Sequence, residues 1–215
     1  MKYSEEISKL VIKNIEQHER ASMVIEEIDK LLFKTIEEES KQIISDFKSE
    51  LDGNEELDFA DSEYLLFSFK DWLIKDIEGM QFGFSLHPTG EEEHEDTATW
   101  LGHLCGIPHT SSGLILSFWI DNKSLNLRLP RLKPILVKHF EKSEELKSHG
   151  FKLSKKGDKL ELHFNFSHDK ICSHYPYELS EAMSPLVKVF KAIEKCKPEL
   201  DKIVEAIKTE SPKTD

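Results

Sequence analysis

Glycine and proline are missing from the first 52 residues; the first glycine is Gly53 and the first proline is Pro88. Nothing in that stretch forces the chain out of a helix. One helix of that length would run on the order of 70 Å at 1.5 Å per residue, which is longer than a compact domain of this size is wide. The segment is therefore expected to fold back on itself, to project from the body, or to pair with another chain. Cysteine is also scarce. Cys105, Cys172 and Cys196 are odd in number and far apart, which excludes a disulfide framework and favours a reducing compartment. No apolar run approaches the ~20 residues of a membrane span, and the opening MKYSEEISK lacks the apolar core of a signal peptide. A cytoplasmic protein with no membrane association is expected. GxGxxG, Walker A and GxSxG patterns are absent, so the familiar nucleotide-binding and serine-hydrolase classes are disfavoured.

Acids and aromatics are what the chain does have. Thirteen phenylalanines and three tryptophans argue against general disorder. The net charge of -12 is uneven: residues 1–100 carry 26 acids against 10 bases, and residues 101–215 carry 15 against 19. An acidic front half makes nucleic acid an unfavourable partner for the N-terminal region, because phosphate contact needs Lys and Arg. Such a half can be a solvated face, can meet a basic partner, or can dock on the basic stretch from Arg128 to Lys159.

Residues Ala21, Val24, Ile25, Ile28, Leu31, Leu32 and Ile36 recur at 3–4 spacing and form one helical stripe. Ile7, Leu10, Val11 and Ile15 make a similar stripe before it, and Asn14, Gln17 and His18 interrupt the seam. The polar run Glu37 to Gln42 separates both from Ile43, Ile44, Phe47 and Leu51. Two helices with a break near Glu38 to Lys41 are expected, with one long helix docked in its middle as the alternative.

Beyond Gly53 the pattern changes. Strands are expected at Tyr64–Phe69, Met80–Leu86 and Gly113–Ile120. A return strand carrying Leu125, Leu127 and Leu129 should follow the Asp121–Ser124 turn, and a hairpin should run from Phe151 through Gly157 to Phe166. A helix is expected from Arg131 to Ser148, another from Ser180 to Cys196 with Pro185 in a first turn capped by Ser184, a break at Pro198, and a last helix to Lys208. The fold class is α+β: a long N-terminal helix or helical hairpin, an antiparallel sheet of about six strands with one inserted helix, and C-terminal helices. The expected organisation is a helical region over 1–52, an acidic linker over 53–62, an α+β domain over 63–208 and a frayed tail over 209–215.

Three constellations carry possible chemistry. The long loop from His87 to His109 holds His103, Cys105 and His109, residue types that bind zinc, although the spacing matches no zinc signature. Asp121-Asn122-Lys123 ends a strand, and an acid-x-lysine there suits an Mg²⁺-dependent nuclease of the PD-(D/E)xK type; it is equally an ordinary turn. Cys172-Ser173-His174 pairs a thiol with a base but offers no third group. The lysines at 152, 155, 156 and 159 crowd one hairpin, where they can form a modest basic patch or guard a sheet edge.

Two function classes follow. The first is a non-enzymatic interaction or regulatory protein without a cofactor, self-associating as a homo-oligomer or binding a protein partner through Ile25, Ile28, Leu32 and Ile36. An acidic inhibitor that imitates nucleic acid is one form of it. The second is a metal-dependent hydrolase, most plausibly a nuclease, using Asp121 and Lys123 with Mg or the His103, Cys105 and His109 loop with Zn.

Overall fold

The computed structural model describes residues 5–46, 65–74, 77, 79–88, 100–105 and 113–211; the acidic linker at 53–62 lies outside them. The fold is α+β. Helix α1 (Glu5–Lys13) is followed by the 32-residue helix α2 (Ile15–Asp46). Five strands form one antiparallel sheet: β1 (Leu65–Phe67), β2 (Phe82–Pro88), β3 (Leu114–Ile120), β4 (Lys152–Leu153) and β5 (Leu160–Phe164), in the order β1-β2-β3-β5-β4. A short helix α3 (Trp100–Cys105) lies between β2 and β3. Helices α4 (Leu129–Lys142) and α5 (Glu144–Ser148) connect β3 to β4, and α6 (His168–His174) and the 27-residue α7 (Ser184–Glu210) close the chain.

The sheet buries one face because strand residues alternate. Phe67, Phe84, Phe118, Leu160 and Leu153 form one row across all five strands, and Leu65, Leu86, Leu116 and Leu162 form the next. Helix α7 packs on this face, with Phe190 stacked on Phe67 at 5.2 Å between centroids. Trp72 stands edge-on to Phe118 at 5.3 Å and to Phe69 at 4.7 Å, geometries that aromatic rings favour. Its indole N–H donates to Asp201 on α7 at 2.7 Å, and Lys197 Nζ reaches Asp201 at 3.0 Å and Asp71 at 2.7 Å. The core is thus tied across the sheet–helix interface by a charged, hydrogen-bonded cluster.

Four expectations are corrected. The long helix does not break near Glu38 to Lys41. Ser40 is fully buried and continues the stripe Leu32, Phe33, Ile36, Ser40, Ile44, so a small polar residue occupies an inward position. The irregularity falls instead at Asn14, whose side chain donates to the Leu10 carbonyl at 2.8 Å. The backbone bonds Asn14 N to Leu10 O and His18 N to Asn14 O persist at 3.2 and 3.1 Å. Hydrogen-bonded helix therefore carries on through this point, for about 60 Å from Glu5 to Asp46.

The return strand after Asp121 does not form. Leu125 and Leu127 are buried, but Asn126 has φ 49 and Leu127 N bonds back to Asn122 O at 2.9 Å. The leucines plug the core from a coiled turn, and among the described residues the sheet has five strands, close to the expected six.

The expected helix 131–148 is two helices, because the Ser143 hydroxyl accepts from Leu146 N and caps α5. Pro198 does not end α7. It removes one backbone donor, while Cys196, Leu200, Ile203 and Val204 are buried around it, and that packing outweighs the lost bond. Pro185 lies in the first turn as expected, though Met183 rather than Ser184 occupies the cap position.

Candidate functional site

Among the described residues, helix α2 packs on the body from Ile28 onward. Leu32 and Ile36 are fully buried, Phe33 and Ile44 nearly so, and Ile28 packs partly buried against the same core. From Glu5 to Glu27 no described side chain is buried. These 23 residues make an arm of about 35 Å. Among the described residues, six of the nine exposed large apolar side chains are on it: Leu10, Val11, Ile12, Ile15, Met23 and Val24. This corrects the expected contact set. Leu32 and Ile36 belong to the chain's own core, because the helix docks through them. Ile25 is half-buried, and the accessible apolar surface lies nearer the N-terminus. Ion pairs along the helix, Glu16 with Arg20 at 2.7 Å and Lys34 with Glu38 at 3.7 Å, are all one turn apart. They support the helix itself.

The root of the arm is electrostatically uneasy. Asp29 accepts a backbone hydrogen bond from Leu101 of α3, yet its Oδ1 is buried without a partner among the described residues. Burial pushes its carboxyl above the ordinary value, and Glu26 adds to the rise. Burial likewise raises Glu39, followed by repulsion from Glu181 and Glu38.

A second feature lies on the sheet face opposite the core. Leu66, Ser85, Ser117, Glu161 and Lys152 form a row across the five strands there. His87 Nε2 lies 3.0 Å from Ser117 Oγ, and His163 Nε2 lies 3.0 Å from Glu161 Oε2. At one end of this face is a shallow depression of about 430 Å³, lined by Leu66, Ser85, Trp119, Asp121, Lys123 and Lys159 among others. Trp119 pairs with Gly83 across the β2–β3 ladder. Its indole N–H is buried and has no acceptor among the described residues.

The depression contains the expected Asp121 and Lys123, and the structure shows how Asp121 is used. Oδ1 accepts from Lys123 N at 3.0 Å and Ser124 N at 3.2 Å, and Oδ2 accepts from the Ser124 hydroxyl. Burial raises this carboxyl, but the bonds from Ser124 and Lys123 outweigh burial and hold it below its usual value. Both oxygens thus serve the turn, and among the described residues no second acid lines the depression.

Of the loop residues, His87 belongs to β2 and Cys105 ends α3. His109 lies outside the described residues. Cys105 is half-buried, with its thiol pushed up by burial. Among the described residues no three His, Cys, Asp or Glu side chains converge as a metal-binding group. Cys172 and His174 are on helix α6, where positions two apart do not share a face. His174 Nδ1 lies 3.6 Å from Glu178 Oε2. All three cysteines are free thiols. The hairpin lysines sit around β4, an edge strand of the sheet, the position where lysine discourages strand-to-strand pairing. Among the described residues no helix is long and apolar enough to cross a membrane.

Sequence reasoning missed Trp119 and Lys159 as neighbours. Gly113 to Ile120 reads as a continuous apolar run, which hides which residues face outward. Comparison with known proteins gives no match: no family model, no curated protein and no solved structure fits this chain.

Proposed function

We propose that the chain is a non-enzymatic interaction protein that self-associates through its N-terminal arm, in a reducing, cytoplasmic setting. The observation that carries this is the concentration of exposed apolar side chains between Leu10 and Val24, on a helix whose other half is anchored in the core. Exposing such residues together in water is unfavourable, and contiguous apolar surface commonly marks a contact site.

The pattern of the arm favours a second copy of this chain as the occupant. Counted outward from Gln17 and His18, the stripe residues mirror one another: Asn14 with Ala21, Val11 with Val24, and Leu10 with Ile25. Laid antiparallel on itself, the stripe sets apolar pairs against apolar pairs and leaves the polar residues at the centre. A self-complementary patch of this kind suits a two-fold dimer.

The test is the double variant Leu10→Asp/Val24→Asp, compared with the parent chain by sedimentation equilibrium. Both positions are exposed, so the body should fold unchanged, as circular dichroism and thermal melting would verify. The expected result is a dimer that becomes a monomer in the variant. Association that survives both charges would overturn the reading.

A further inference from the structure

The depression at the end of β3 combines three features that the self-association reading does not use. Its volume of about 430 Å³ falls in the size range of small-molecule sites. Trp119 supplies an aromatic surface with Leu66 and Ser85 beside it. Gly83, opposite Trp119, has no side chain to hold the ring off the sheet: a Cβ built there would lie 3.3 Å from Trp119 Cζ2. Lys123 and Lys159 stand at the same depression, and neither makes an ion pair among the described residues. Among the described lining residues the one acid is Asp121, and both its oxygens are bonded by its turn. In a chain of net charge -12, this corner presents two lysines against one internally satisfied carboxylate. The lysines at 152, 155 and 156 follow nearby in the β4–β5 hairpin sequence.

The geometry points to a binding site for a nucleoside monophosphate group, with the base against Trp119 and the phosphate between Lys123 and Lys159. Aromatic faces take nucleobases of any sequence by stacking, and the lysine ammonium is a compact point charge for a phosphate. Asp121 stays ionised and offsets part of that charge, and the two lysines still leave the depression net positive. The group can arrive as a free nucleotide or as the phosphorylated end of a short strand.

Titration calorimetry on the full chain separates these sources. The probes are adenosine 5′-monophosphate, adenosine, inorganic phosphate, and tetradeoxyadenylate with and without a 5′-phosphate. The expected result is saturable binding of the monophosphate, with adenosine and phosphate each weaker by about tenfold or more. A free-nucleotide site binds the mononucleotide better than the 5′-phosphorylated tetramer; a strand-end site reverses that order and prefers the phosphorylated over the unphosphorylated tetramer.

Lys123→Ala and Lys159→Ala, both surface changes, should each weaken binding by about tenfold. The bound probe should quench tryptophan emission in the parent chain and not in Trp119→Phe. Absence of heat up to about 10 mM monophosphate, equal binding of inorganic phosphate, or affinity unchanged in both lysine variants would overturn the site. None of these readouts depends on the oligomeric state.

Discussion

Gly83 stands opposite Trp119 in the β2–β3 ladder, and the indole covers the space that a side chain at 83 would need. A Cβ there would come within 2.7 Å of the Phe67 carbonyl oxygen and of Met80 Sδ. The Met80 sulfur can swing away, but the Phe67 carbonyl belongs to the ladder and cannot. Gly83→Ala is therefore expected to destabilise the chain by about 1–3 kcal/mol. Urea unfolding at neutral pH, with Ser85→Ala as the neighbouring control on the same strand, checks it.

Asp201 holds two partners at once, the Trp72 indole and Lys197. Asp201→Ala would leave a buried N–H without its acceptor and take one of two carboxylates from Lys197, at a cost of about 1–3 kcal/mol. The same cluster sets a pH dependence. Burial lowers the Lys197 pKa, but the hydrogen bonds it donates to Asp71 and Asp201 outweigh that and raise it above the ordinary lysine value. A raised lysine contributes stability that is fully present below its unfolded pKa and is lost as pH rises through the folded one. Stability should thus fall at strongly alkaline pH in the parent chain, and less so in Asp201→Ala.

The root of the arm carries the opposite sign. Asp29 and Glu39 both have carboxyls raised by folding. Each therefore destabilises the folded state above its folded pKa, and that penalty fades as pH falls through it. Asp29→Asn and Glu39→Gln should stabilise the docked helix at pH 7 by less than about 1 kcal/mol each, because both groups keep contact with solvent. They should also flatten the rise in stability as pH falls towards the carboxylate range. Thermal melts between neutral and mildly acidic pH give the comparison.

Most of the body could be read from alternation. Phe82, Phe84 and Leu86, and Leu160, Leu162 and Phe164, face inward as their spacing indicates. Where the expectations failed, either tertiary burial overruled a local signal or a local turn or cap interrupted the pattern. Ser40 looks polar in sequence and is buried because a helix interface accepts a small side chain. Pro198 looks like a terminator and is carried within a helix whose neighbouring residues are packed. Leu125 and Leu127 alternate like a strand, yet Asn126 bends the chain. Of the two proposed sites, the arm could be anticipated from missing breakers, while its accessible residues could not. Which half of the helix docks depends on the groove formed by α3, the 3-10 turn at Leu179–Met183 and α7. The depression was hidden because Trp119 on β3 and Lys159, which immediately precedes β5, lie 40 positions apart in sequence.

The central claim is that the arm closes on a second copy. Light scattering on a size-exclusion column, run on the full chain across a concentration series reaching about 100 μM, tests it most directly. The account predicts a mass that rises with concentration towards twice the 24.9 kDa of one chain. A mass of one chain throughout the series would contradict it.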